Sequence, residues 1–271
     1  MKNLSRRFAR TMAAVGLMAL AGAFTFNASA QSASTAQQAK PTIVLVHGAF
    51  AESSSWDGVI RKLEAKHYPV IAAANPLRGV KSDAADVASI VDAVEGPVVL
   101  VGHSYGGSVI SSAATGKSNV KALVFVAAFA PEAGESAADL AGKFPGSTLG
   151  PALAPPVALA DGGKDLYILK NRFHDQFAAD VPAAAARLMA ATQRPIAESA
   201  LGEPAGAPAW KTVPSWFVYG DADKNIPPAA QAFMAARAKS VKTVVVKGAS
   251  HVVMTSRPDV VAKLIVEAAS R

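Results

Sequence analysis

The sequence predicts an α/β protein: a mostly parallel six-stranded sheet with helices on both faces and an inserted lid. From Pro41 onward, short β-branched runs alternate with amphipathic helical stretches, the pattern of a parallel sheet buried on both faces. The chain is 51% hydrophobic and 17% charged, which supplies a large core and excludes a disordered protein. The alternation then lapses for about 85 residues, Phe129 to Pro214, a stretch that holds most of the prolines and is too long for a simple connection. That stretch is the expected lid, spanning about 130–213.

The first 30 residues are an address label. Lys2, Arg6, Arg7 and Arg10 form a positive region, Met12 to Phe26 is almost uninterruptedly apolar, and Ala28-Ser29-Ala30 is a small-x-small cleavage site. Cleavage after Ala30 predicts a periplasmic or secreted protein, and no later apolar run reaches the roughly 20 residues of a membrane span. Removing the four leader cations leaves 23 basic residues against 20 acidic, a net charge of only about +3. No cluster of Lys and Arg remains, so nucleic acid is not an expected partner. The absence of Cys excludes disulfides and an N-terminal lipid, leaving stability to packing. Residues 31–40 are polar, without periodicity, and form a flexible lead-in to a single domain over 41–271, monomeric by default.

Six strands are expected in order: Thr42 to Val46, Pro69 to Ala73, Val98 to Val101, Ala122 to Val126, Ser215 to Tyr219 and Lys242 to Val246. Between them, Ser54 to Lys66 spaces Trp56, Val59, Ile60 and Leu63 on one helical face, and Asp83 to Glu95 does so with Val87, Ile90, Val91 and Val94. A closing helix starts at Pro258, with Ser256 as its candidate cap. Within the lid, Asp161-Gly162-Gly163 is a turn signal, Leu166 to Leu169 a short strand and Pro182 to Ala191 an Ala-rich helix.

The chemistry sits where the third strand runs into Gly102-His103-Ser104-Tyr105-Gly106-Gly107 and a following helix. A serine on a tight strand-to-helix turn is pushed above the sheet, glycines at Gly102 and Gly106 leave room for the neighbouring backbone, and the helix N-terminus points its amides at the reacting centre. A serine hydroxyl needs a base. His251, in the loop after the last strand, emerges at the same carboxyl edge of the sheet as Ser104, whereas His47, His67 and His103 are expected to be structural. His174 lies in the lid within reach of a substrate and joins Phe50 and Phe129 as a candidate pocket residue.

The base needs a carboxylate to fix its tautomer, and Tyr219-Gly220-Asp221-Ala222-Asp223 offers two at the same edge. An oxyanion hole needs preorganised donors; His47-Gly48-Ala49-Phe50 follows the first strand, so the Ala49 N–H can pair with that of Tyr105, the residue after the serine. Trp56 is expected in the core.

Together these residues resemble the α/β-hydrolase superfamily from Pro41 to the C-terminus. VLVHGAF, GHSYGG, WFVYGDADKNIPP and GASHVVM are similar to small bacterial carboxylesterases of the pyrethroid-hydrolase type and, more distantly, to plant methylesterases and hydroxynitrile lyases. The resemblance implies an acid at the last position of Gly220-Asp221-Ala222-Asp223, which selects Asp223. It also implies hydrolysis of a small-molecule ester by Ser104, His251 and Asp223 with no metal or organic cofactor. A lyase or perhydrolase on the same triad, or a binding receptor without turnover, are the rival expectations; in the lyases a lid lysine takes part, and Lys164, Lys170 and Lys211 lie in or near the lid.

Overall fold

A computed structural model describes residues 40–271; the expected leader and residues 31–39 lie outside the described residues. Six strands form one sheet: β1 (Thr42–Val46), β2 (Val70–Ala73), β3 (Val98–His103), β4 (Val120–Val126), β8 (Ser215–Gly220) and β9 (Lys242–Val246). Their order is β2-β1-β3-β4-β8-β9, and every neighbouring pair is parallel. β-Branched side chains suit such a sheet because both faces are covered: all six residues of β3 are buried, as are Ile43 to Val46. Phe125 and Phe217 stack with ring centroids 4.5 Å apart across β4 and β8. Each such side chain contributes about 1.5–3 kcal/mol by leaving water.

The sheet is flanked by α1 (Asp57–Glu64), α2 (Val80–Ala93), α3 (Gly106–Ala113), α8 (Pro228–Arg237), α9 (Val253–Ser256) and α10 (Pro258–Ala269). The expected helix from Ser54 begins with a 3-10 turn at Ser53–Trp56 and ends before His67, whose φ of 57° breaks it. Helix α2 starts three residues earlier than periodicity indicates, since the Asp83 carboxylate reaches back to the Arg78 and Gly79 amides and holds the first turn. Ser256 does not cap α10. It closes α9, and Arg257 occupies the cap position.

The lid lies between β4 and β8. It contains α4 (Ala137–Lys143), α5 (Lys170–Phe177), α6 (Ala183–Thr192) and α7 (Glu198–Gly202) with a small antiparallel sheet of β5 (Val157–Ala158), β6 (Lys164–Leu166) and β7 (Ile196–Ala197). The strand expected at Leu166 to Leu169 is displaced toward the Asp161-Gly162-Gly163 turn, and Ile168 keeps only a single bridge to Leu153. The lid is fastened to the core by polar contacts: Arg78 Nη1 donates to Asp165 at 2.6 Å, and Arg194 forks onto both carboxylate oxygens of Glu52 at 3.1 Å. No helix among the described residues is long and apolar enough to cross a membrane.

Candidate active site

Because the strands are parallel, the loops after β1, β3, β4, β8 and β9 meet at one edge of the sheet. Ser104 sits between β3 and α3 with φ +52°, a left-handed conformation that a non-glycine residue adopts at a cost of order 1–3 kcal/mol. The glycines around it are obligatory. A Cβ on Gly102 would lie 2.6 Å from the Gly106 carbonyl oxygen, and one on Gly106 would lie 2.6 Å from that of Val46. The β1 loop is pressed as tightly onto the turn: a Cβ on Gly48 would meet His103 O and Ser104 Cβ at 2.6 Å and the Tyr105 nitrogen at 3.0 Å. Ala49 and Tyr105 thereby flank one cavity with Ser104 and His251.

The loops holding those two amides are themselves pinned. His47 donates from Nδ1 to Gly48 O at 3.0 Å and accepts the Asn75 amide on Nε2 at 3.1 Å, while the Asn75 side chain donates to His47 O. Burial lowers the His47 pKa and keeps the ring neutral, as this donor-plus-acceptor arrangement requires. The Phe50 amide is held by the lid through Arg194 O at 2.9 Å. The Tyr105 hydroxyl donates to Asp83 Oδ2 at 3.0 Å; burial and the Asp83 charge keep the phenol protonated far beyond its usual range.

Asp223 and His251 meet behind the serine. His251 Nδ1 lies 2.7 Å from Asp223 Oδ2, both side chains buried. The remaining lone pairs of Asp223 are filled: Oδ1 accepts the amides of Asn225 and Ile226 at 2.8 and 3.0 Å, and Oδ2 also accepts Gln231 Nε2 at 2.9 Å. The carboxylate therefore accepts the Nδ1 proton and leaves Nε2 of His251 as the unprotonated, basic nitrogen. Asp221 does something else. It is exposed and accepts the Gly248 amide at 2.6 Å, fixing the loop that carries the histidine. No hydrogen bond joins Ser104 to His251 among the described residues; the two share the wall of one cavity, and catalytic contacts are often long without substrate.

Two further groups hold His251. His103 Nε2 donates to the His251 carbonyl at 3.2 Å, with the ring centroids 4.7 Å apart; burial first, then the neighbouring His251, holds His103 well below the ordinary histidine range. Asp180 of the lid accepts the Ser250 amide at 3.1 Å and lies 3.3 Å from Arg257. Burial alone would raise the Asp180 pKa, but hydrogen bonds from Ser250 and the Arg257 charge bring it below the usual carboxylate value.

The cavity over Ser104 measures about 80 Å³. Its walls are apolar: Phe50, Phe129 and Phe177, the alanine face of α4 (Ala137, Ala138, Ala141), Leu149 and Leu201. His174, expected at this pocket, is not in its wall. Its Nε2 is engaged with Val181 O at 2.9 Å, which ties α5 to the turn before α6. Lys164 and Lys211 are likewise elsewhere, on Glu198 and Glu132. Two wider clefts, of about 590 and 560 Å³, lie away from Ser104, one beside Trp210 and one beside Val80. Gln231, Asn225, Asp83 and Asp180 are the functional neighbours that the sequence alone did not single out. Gln231 had a detectable signal, one polar position on the buried face of a helix that starts just after Asp223.

This arrangement is that of an α/β hydrolase, and the comparisons with known proteins agree. The model of the alpha/beta hydrolase family matches residues 43–264, so the chain belongs to that family. It is 26% identical over 250 residues to the alpha/beta hydrolase nvfD of Aspergillus novofumigatus, covering 85% of this chain and 97% of that protein. Among solved structures it is similar to polyneuridine aldehyde esterase (TM-score 0.73, 18% identity, 84% of this chain and 98% of that one). It is also similar to a pyrethroid hydrolase from Sphingobium faniae (TM-score 0.67, 23% identity, 85% and 97%). At these identities the structural likenesses speak for the fold.

Proposed function

We propose that the protein is an exported serine esterase acting on uncharged, apolar carboxylic esters. Ser104 attacks the ester carbonyl, His251 Nε2 takes its proton and returns it to the leaving alcohol, and Asp223 stabilises the imidazolium. The amides of Ala49 and Tyr105 receive the oxyanion, each worth about 3 kcal/mol to the transition state. Water activated by His251 then hydrolyses the acyl-enzyme. The observation that carries this reading is the buried Asp223–His251 pair, 2.7 Å apart, behind a cavity that also exposes Ser104.

The apolar wall of that cavity supports the substrate class, since it offers neither a cation for a free carboxylate nor a lysine for cyanohydrin cleavage. The test is hydrolysis of p-nitrophenyl esters from acetate to decanoate by protein starting at Gln31, beside the Ser104→Ala variant. Serine-dependent release of p-nitrophenol is expected; equal release by the variant, or none from folded wild type, overturns the reading. Export rests on the N-terminal residues, Lys2 to Ala30. Cell fractionation with N-terminal sequencing tests it, the expected result being a mature end at Gln31 outside the cytoplasm.

A further inference from the structure

The cavity over Ser104, at about 80 Å³, is roughly half the size of an apolar cavity that admits one benzene ring (about 150 Å³), so it encloses only one small arm of an ester. The other arm must leave through the wall. Phe50 is one residue at which this can happen, because it lines two spaces. On one side it lines the cavity with Ser104. On the other it lines an open groove of about 290 Å³ between the Ser53–Trp56 turn and α6.

Two features mark that groove. Leu188, on its α6 rim, is 70% exposed, the most exposed large apolar side chain among the described residues, and with Met189 beside it gives the groove an apolar rim. Phe50 is held at φ +61°, a strained conformation for an aromatic residue. That residue is tied to the groove's own frame, where the Phe50 amide donates to Arg194 O and the Arg194 guanidinium forks onto Glu52. The frame holds Phe50 between the two spaces, its ring edge-on to Phe177 with centroids 6.1 Å apart.

Resting on the esterase reading, we infer that the groove bounded by Phe50 and Leu188 is a second substrate subsite: it takes the bulky apolar arm of an asymmetric ester whose compact arm lies against the α4 alanines. The carboxylates bordering the groove, Asp57 and the Arg194-paired Glu52, disfavour an anionic arm, so the occupant is neutral, aromatic or long-chain aliphatic.

The test compares methyl butyrate, compact on both sides, with 2-naphthyl butyrate and methyl 2-naphthylacetate, which carry the bulk on opposite arms. In Leu188→Glu, a surface substitution, the ratio of kcat/KM for one naphthyl ester to that for methyl butyrate should fall about five- to tenfold, the effect of losing part of an apolar contact. Phe50→Ala should shift the same ratio. Direct binding of the naphthyl esters to Ser104→Ala, followed by naphthyl fluorescence, should weaken on adding Leu188→Glu. Unchanged ratios together with unchanged binding overturn the subsite. Failure of wild type to hydrolyse any of the three esters overturns the esterase reading instead, and the binding measurement still decides whether the groove holds the bulky arm.

Discussion

His251 Nδ1 and Asp223 Oδ2 lie 2.7 Å apart in a buried contact, and the opposite oxygen of Asp223 is held by the amides of Asn225 and Ile226. The carboxylate cannot rotate without breaking its own turn, so it dictates which nitrogen of His251 carries the proton. Asp223→Asn should therefore lower kcat by about 10³- to 10⁴-fold, because the amide can stabilise the wrong tautomer. Asp221→Asn, which touches only the Gly248 amide, should stay within about threefold of wild type, as ordinary surface substitutions do. Steady-state hydrolysis of p-nitrophenyl butyrate checks both.

Gln231 is buried and gives one amide group to both Asp223 Oδ2 and Ile226 O. Gln231→Leu should leave two acceptors short, costing about 1–3 kcal/mol, which is roughly 2–12 °C in Tm for a domain of this size. A thermal melt reads that loss, and a fall in kcat with little change in KM should accompany it as Asp223 loosens.

The strain at Ser104 is a prediction in its own right. Glycine tolerates φ +52° and alanine does not, so Ser104→Gly should raise Tm by about 2–4 °C, matching about 1 kcal/mol of relieved strain, while Ser104→Ala should melt close to wild type. Both should be inactive. A Ser104→Gly variant less stable than wild type would mean the turn is not strained.

Most of the sheet, and the placement of Ser104 and His251 at one edge of it, were legible in the sequence, for a physical reason. The β-branched runs at Thr42 to Val46 and Lys242 to Val246 coincide with β1 and β9: β1 is buried on both faces and tolerates few other residues, while β9, a largely exposed edge strand, was legible from the strand preference of its Thr-Val-Val-Val run. Ser104 and His251 follow strands directly, so topology alone carries them to one edge. His174 was misplaced because a helix in the lid has no sheet edge to fix its outward face. Its own backbone neighbour, Val181 O, captures the ring. The second tier around the triad, Gln231, Asp180 and Asp83, depends on packing between segments remote in sequence, and no local pattern encodes it. Choosing Asp223 over Asp221 required the family pattern, since both follow β8 within three residues.

Acid should unfold the protein through two histidines. Burial favours the neutral ring of His47 and of His103, so both titrate below the ordinary 6.5 when folded and near 6.5 when unfolded. The unfolded chain thus takes up protons first: this stability is fully present above about pH 6.5 and is lost as the pH falls toward the folded values. The slope is at most about 1.4 kcal/mol per pH unit for each histidine. Urea denaturation between pH 7.5 and 5.5 measures it, and His47→Gln should reduce the slope by about one proton. A wild-type midpoint independent of pH across that window would contradict the assignment.

The central claim is that Ser104 is the atom acylated. Its most direct measurement is intact mass and peptide mapping of the protein quenched during turnover of p-nitrophenyl butyrate, and after reaction with a fluorophosphonate. A single butyryl or phosphonyl adduct on the peptide containing Ser104, absent from Ser104→Ala, is the expected result. An adduct on another residue, or undiminished turnover without Ser104, would contradict the account.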